Sequence, residues 1–242
     1  MEMEYHNPVL LKETVDGLNI KPDGVYVDVT FGGGGHSKEI LSRLGPNGKL
    51  FGFDQDEDAW KNTLLDDRFV LIQENFRYIK RFLRFNGIKK VDGILADLGV
   101  SSHQFDVPER GFSTRFDAEL DMRMSKKNEL TAFTIVNEYD ETNLRRIFSE
   151  YGELGNALAI ARAIIEAREK EKIVNTEDLK QVLARFLPNN KAHKILAQIY
   201  QSIRIEVNQE MEVLKEFFEQ SLDILGEGGR LSVIYYQSCA VR

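Results

Sequence analysis

Cysteine is nearly missing from this chain. The one cysteine among 242 residues, Cys239, excludes an internal disulfide and fits a reducing compartment. Proline is sparse, at five residues, and 29% of the chain is charged, a balance that excludes a Pro-rich or disordered polymer. No apolar run is long enough to span a bilayer. The first residues also lack the apolar core of a signal peptide, so the expected compartment is the cytoplasm and no membrane partner is expected. The four histidines, His6, His36, His103 and His193, have no metal-ligand spacing. A surplus of positive charge is missing too. The net charge of −7 argues against a protein that coats bare nucleic acid, while leaving room for a local basic surface. What is present is 42% hydrophobic residues, enough for a sizeable core in one large domain or one domain carrying an insertion.

The chain is organised around Val25-Tyr26-Val27-Asp28-Val29-Thr30-Phe31-Gly32-Gly33-Gly34-Gly35-His36-Ser37. The apolar, β-branched run predicts a strand, the four glycines a tight turn, and residues 37–44 a helix with Ile40, Leu41 and Leu44 on one side. Strand, glycine turn and helix form the opening unit of a nucleotide-binding α/β sheet, with free backbone N–H groups at the carboxyl edge of the first strand.

Before it, residues 14–20 read as a short amphipathic helix and Pro22-Asp23-Gly24 as a turn. After it, residues 49–54 predict a second strand ending in Asp54. An acid there accepts hydrogen bonds from ribose hydroxyls, and the plainer alternative is an N-cap for the helix starting near Asp56. Residues 69–73 predict a third strand, followed by Phe76, whose ring suits either an adenine or the core. Residues 77–90 predict a helix carrying Arg77, Lys80, Arg81, Arg84, Lys89 and Lys90, no acid, and interleaved Tyr78, Phe82 and Phe85. That pattern fits a phosphate-facing surface or simply a solvated face. Residues 91–98 predict a fourth strand with Asp97 near its end. Three strands thus end in acids at one edge, Asp28, Asp54 and Asp97, where a cation or a set of hydroxyl and amino donors would account for them.

The strand–helix alternation then breaks. No clear strand is expected between about 103 and 203, and helices are expected over 141–151, 156–170 and 176–186. This stretch reads as a helical domain inserted after the fourth strand, covering the ligand cleft and carrying substrate contacts. The domain expectation is a cofactor-binding domain over 1–102 and 204–242, with the inserted, substrate-recognising domain over 103–203. A long helix over 205–225 returns to a fifth strand over 230–236, after a turn at 226–229.

A nicotinamide fingerprint needs Gly-x-Gly-x-x-Gly, and counted from Gly32 its third glycine is replaced by Ser37. Asp28 inside the first strand fits S-adenosylmethionine better, since that cofactor brings an α-amino group, a sulfonium and two ribose hydroxyls. The residues therefore favour a methyltransferase, with a nicotinamide-dependent oxidoreductase as the remote alternative.

The same residues carry a resemblance. His6, Pro8-Val9-Leu10-Leu11, the run from Tyr26 to Ser37, and Asp92 to Gln104 resemble the RsmH (MraW) family of ribosomal RNA methyltransferases. So do Arg110-Gly111-Phe112-Ser113, Leu120-Asp121-Met122-Arg123-Met124, Tyr151-Gly152-Glu153 and the stretch from Gln201 to Asn208. The resemblance implies a Rossmann-like class I S-adenosylmethionine-dependent methyltransferase sheet with an inserted helical domain. It also implies methyl transfer from S-adenosylmethionine to the N4 amine of a cytidine in the decoding region of small-subunit ribosomal RNA; the net charge of −7 points to the assembled subunit as the form in which that RNA is met. By motif position the cofactor contacts fall on Gly34, Gly35, His36, Asp54, Phe76, Asp97 and Gln104. Asp97 is the candidate catalytic residue, with the backbone from Leu98 to Ser101 as further acceptors near the amine. Arg110, Arg115 and Arg123 are candidates for holding RNA phosphates, and for Arg110 and Arg123 the alternative is a pair with Asp106 or Asp121. The family's fifth strand runs into His-Ser-Leu-Glu-Asp-Arg. The aligned residues 237–242 match it only at Ser238 and Arg242, where the sequence ends. The expectation is a C-terminally shortened member, with impaired turnover or dimerisation through the exposed edge strand as consequences.

Overall fold

The computed structural model describes residues 8–235. The contribution of His6 and the aligned C-terminal motif at 237–242 lie outside the described residues. Contacts divide the described residues into two compact units, one of residues 8–101 and 211–235, the other of residues 102–210.

The first unit is a five-stranded parallel sheet in the order β3-β2-β1-β4-β5. Its elements run α1 (Leu11–Leu18), β1 (Val25–Asp28), α2 (Gly35–Arg43), β2 (Lys49–Phe53), α3 (Glu57–Trp60), β3 (Phe69–Ile72), α4 (Ile79–Phe85) and β4 (Val91–Leu98). Later in the chain α11 (Glu210–Ile224) and β5 (Leu225–Tyr235) complete it. The central strands are buried on both faces, as parallel sheets require, and successive residues part to opposite sides. Tyr26, Leu50 and Leu95 pack with Val15, Leu18 and Ile40 on the α1/α2 side. Val27, Phe51, Ile94 and Ala96 pack with Ile79, Leu83, Phe217 and Ile224 on the α4/α11 side. Truncating a residue such as fully buried Phe217 to alanine would cost about 3–5 kcal/mol. Because all strands run parallel, the ends of β1, β2, β3 and β4 lie along one edge.

The second unit holds α5 (Ser102–Asp106), α6 (Ala132–Glu138), α7 (Glu141–Glu150), α8 (Ala157–Arg168), α9 (Thr176–Leu183) and α10 (Ala192–Val207). An isolated antiparallel bridge joins Glu119 to Asn175. Asn175 caps α9 in a full capping box with Asp178, which fixes where that helix starts. The helix expected to run unbroken over 205–225 is two helices: α10 ends at Val207, and Gln209, at φ 51°, turns the chain before α11. The helix expected over 77–90 is shorter. A single 3-10 turn at Phe76–Tyr78 leads into α4, which stops at Asn86 before Gly87 at φ 78°. In β5 the register on β4 jumps between Val91 and Gly93, where the partners pass from Leu225 to Arg230, so the glycine turn loops out within the strand.

Candidate active site

The carboxyl edge of the sheet in the first unit gathers the turn after β1, Asp54 after β2, Phe76 after β3 and Asp97 in β4. The three acids have different fates. Asp28 is fully buried, its Oδ2 accepting from the Ser37 hydroxyl at 2.7 Å and its Oδ1 from the Thr30 N–H at 3.1 Å. Burial raises its pKa, and Ser37, His36 and Thr30 offset part of the rise. Both of its oxygens are committed to closing the turn.

Asp54 follows β2 and uses each oxygen once. Oδ2 accepts from the Gly32 N–H and Oδ1 from the Asp56 N–H, both at 2.8 Å. The N-cap of α3 is Asp56, whose side chain accepts from the Asp58 N–H, so the capping alternative for Asp54 does not hold. Each Asp54 oxygen keeps a second lone pair for a hydroxyl donor. The carboxyl lies below the surface, and burial pushes its pKa up to about 7 against the opposing pull of the two N–H groups.

Asp97 is held by its backbone rather than its side chain. Its N–H donates to Thr30 Oγ1 at 2.7 Å, and among the described residues no donor reaches its carboxylate. Burial raises its pKa, His36 offsets part of this and the Asp28 charge adds to it. A partly buried carboxylate without a donor is costly unless a ligand supplies one.

The glycine turn is closed from within. Gly32 and Gly34 take φ of 51° and 75°, a region that costs L side chains strain. A Cβ at Gly34 would meet the Phe31 ring at 3.0 Å, and one at Gly35 would meet Pro8 at 2.2 Å. A Cβ at Gly32 would only touch the Thr30 carbonyl oxygen at 3.9 Å, and beside Gly99, at φ 138°, there is open space. Gly34 is the N-cap of α2 and no side chain caps that first turn, so its N–H groups face the edge. His36 is buried, with its ring Nε2 3.2 Å from the Val9 carbonyl oxygen. Phe76 packs edge-on against Phe217 at 5.3 Å between ring centres and is half-buried. The Asn75 amide donates to Gln55 at 2.8 Å, tying the loop of Phe76 to the loop of Asp54.

Two residues that sequence reasoning left without a role emerge here. Thr30 bridges Asp28 and Asp97, through its N–H and its hydroxyl respectively. Asn62 donates from Nδ2 to the Gly32 carbonyl at 3.0 Å, so Gly32 is held through its N–H by Asp54 and through its C=O by Asn62. Thr30 stood inside the organising motif. Asn62 lies 30 residues from its partner, with no local signal.

Gln104, the remaining cofactor candidate, is buried on α5 of the helical unit. The arginines expected to hold phosphates are mostly occupied within that unit. Arg123 grips Asp121 through Nε at 2.8 Å and Nη2 at 2.9 Å, and Arg110 donates to the Arg123 and Met124 carbonyls. Asn208, buried, receives the Met124 N–H at 2.7 Å and donates to the Met122 carbonyl at 2.8 Å. Arg115 makes an exposed pair with Asp106 at 3.1 Å. Tyr151-Gly152 is knit to α10 by Gln198 and Gln201, and a Cβ at Gly152 would meet the Phe148 carbonyl oxygen at 2.8 Å.

The edge thus presents an acid after β2 that can still accept, a carboxylate that no donor reaches among the described residues, and open space beside Gly99. No grouping of His, Cys, Asp and Glu suited to a metal ion is found among the described residues.

Comparison with known proteins gives a concordant picture. Residues 3–242 match the model of the MraW methylase family. The chain is 92% identical over 229 residues to a protein of Flavobacterium psychrophilum named ribosomal RNA small subunit methyltransferase H, covering 95% of this chain and 79% of the relative. It is 75% identical to a protein of the same name from Flavobacterium johnsoniae (98% and 78% covered). It is 55% identical to one from Bacteroides thetaiotaomicron, again over 98% and 78% of the two chains.

Proposed function

This chain belongs to the MraW methylase family, and from that premise we propose that it transfers a methyl group from S-adenosylmethionine to the N4 amine of a cytidine in the decoding region of small-subunit ribosomal RNA. Relatives at 92% and 75% identity carry the name ribosomal RNA small subunit methyltransferase, which supports the substrate class and sets the nicotinamide reading aside. The substrate is the RNA within the assembled subunit, in the cytoplasm, and residues 102–210 contribute to recognising it.

The observation that carries the reaction is the donorless carboxylate of Asp97 at the edge where the glycine turn and Asp54 converge. When bound there, the cofactor supplies an electrophilic methyl on a sulfonium. Asp54 accepts from its ribose hydroxyls. The N–H groups of the α2 first turn face its carboxylate, with the positive end of the helix behind them. Cytosine N4 is a weak nucleophile because its lone pair is delocalised into the ring. Asp97, with the carbonyls from Leu98 onward, would accept the N4 protons, so that one could leave nitrogen as the N–C bond forms and the methyl–sulfur bond breaks, with the thioether as leaving group. The fixed backbone of Asp97, anchored on Thr30, sets the amine in line, and alignment supplies most of the acceleration. The base reaches this edge only after leaving its stack.

The test is calorimetric titration with S-adenosylhomocysteine, using Asp54→Ala as control, followed by methyl transfer to unmethylated small subunits with mapping of the modified base. Micromolar binding lost in the variant and label on a cytidine N4 are expected. Label on another atom or base overturns the assignment, and a folded chain that binds no S-adenosylhomocysteine overturns the cofactor site.

A further inference from the structure

We propose that the outer face of α4, formed by Arg81, Arg84, Phe85 and the following Lys89, is a docking surface for single-stranded RNA of the small subunit, separate from the methyl-transfer edge. It rests on the reading that ribosomal RNA is the substrate.

The six cations of this segment divide into two sets. On the side facing α11, Arg77 grips Glu216 through Nε at 3.0 Å and Nη2 at 2.6 Å, and Lys80 pairs with Asp223. Lys90 donates to the Asp223 and Leu225 carbonyls, both at 3.1 Å. These three fasten the helix to the sheet unit. On the outer side Arg81, Arg84 and Lys89 are exposed and make no hydrogen bond or ion pair among the described residues. Arg84 lies within electrostatic reach of Asp223, which is already paired with Lys80. Arg81, Arg84 and Phe85 fall within an arc of about 100° on a helix of 3.6 residues per turn. In a chain of net charge −7 this is an unneutralised cationic strip, complementary to a polyanion.

The aromatic in the strip separates this face from an ordinary solvated one. Phe85 is 87% exposed at the C-terminal end of α4, while its neighbours Phe82 and Leu83 pack inward. Tyr78, 43% exposed at the start of the segment, lies under the Arg77 guanidinium at 5.9 Å. Cations spaced along a helix with an open ring between them match the way single strands are held, by phosphate contacts and by a base stacked on an aromatic. A duplex would offer Phe85 no free base, so the surface selects an unpaired stretch.

The experiment measures retention of unmethylated small subunits by wild type, Phe85→Ala and the triple variant Arg81→Glu/Arg84→Glu/Lys89→Glu, over a salt series. S-adenosylhomocysteine titration and Tm serve as controls for folding. The triple variant is expected to bind subunits at least tenfold more weakly, with the slope of log affinity against log salt smaller by about 2–3. Phe85→Ala is expected to weaken binding about tenfold at a nearly unchanged slope. Unchanged retention in both variants overturns the proposal. So does unchanged retention accompanied by loss of self-association in sedimentation, which would give the face to a second copy of this chain. Because retention is read independently of turnover, a wild type that holds subunits but transfers no methyl overturns the reaction while supporting the surface.

Discussion

The ends of β1 and β4 each place an aspartate at the same edge of the sheet, and the two residues do opposite work. At the end of β1, Asp28 is fully buried and spends both oxygens on Ser37 and Thr30. Within β4, Asp97 has its backbone fixed by the same Thr30, while its carboxylate finds no donor among the described residues. One acid builds the turn; the other is presented by it. Chemical type and strand position are shared, so what separates the two carboxylates is hydrogen-bond satisfaction.

The sharpest way to break this comparison is to neutralise each acid in turn. Asp97→Asn keeps the shape but removes the negative charge, and with it the group basic enough to take the N4 proton. Its kcat on small subunits is expected to fall at least about 10³-fold, with Tm and S-adenosylhomocysteine binding changed far less. Activity within tenfold of wild type would remove Asp97 from the chemistry. Asp28→Ala should show the reverse. It strands the Ser37 hydroxyl and the Thr30 N–H in a buried site, costing about 3 kcal/mol, or roughly 6–12 °C in Tm. The molecules that remain folded should keep turning over. A large loss of kcat at unchanged Tm would give Asp28 a role at the ligand.

Much of the sheet unit is legible in the sequence because its signals are local. The β1 run, the glycine turn and the start of α2 are contiguous, and the alternation of Tyr26 and Val27 or Leu50 and Phe51 between faces is written in neighbouring residues. The paired fate of Arg123 with Asp121 was legible too, two positions apart. The fastening of that loop by Asn208 was not, since Asn208 lies 84 residues beyond Met124. The separate α10 lies outside the helices expected from the sequence, although Leu196, Ile199, Tyr200, Ile203 and Val207 carry helical spacing and are buried. Its polar start at Lys191, His193 and Lys194 hid the pattern. That Phe76 packs on Phe217, or that Asp54 joins Gly32, follows only from the closed sheet.

Asp54 is intermediate between the two acids, satisfied by two N–H groups yet still able to accept, and pH separates its roles. Its carboxyl rises from the ordinary 3.8 to about 7 because burial penalises the charged form. Between about pH 4 and 7 the unfolded chain gives up this proton while the folded chain keeps it. Folding therefore weakens as pH rises across that window and levels off above it. Binding has the opposite slope, because ribose hydroxyls donate best to the ionised carboxylate. Affinity for S-adenosylhomocysteine should rise on the order of tenfold from pH 6 to pH 8. Calorimetry at both values checks this, and Asp54→Asn should flatten both profiles. A pH-independent affinity in wild type would place the ribose elsewhere.

The smallest expected effect sharpens the comparison most, because it touches neither acid. Asn62 holds the Gly32 carbonyl from the side opposite Asp54, so the peptide at the mouth of the turn is fixed at both its N–H and its C=O. Asn62→Ala removes the hydrogen bond to Gly32, worth about 1 kcal/mol, and frees that peptide to rotate. If the turn is presented to the cofactor, that freedom must be lost again on binding. S-adenosylhomocysteine should then bind about fivefold more weakly, at a kcat close to wild type and with only a slight change in Tm. Asn62→Asp keeps an oxygen where the amide nitrogen stood, and sets two acceptors against each other. It should bind more weakly than Asn62→Ala, a ranking that loss of packing alone would not produce. Equal affinities in wild type, Asn62→Ala and Asn62→Asp would mean that Asp54 alone positions Gly32, and that the turn is rigid without its second support.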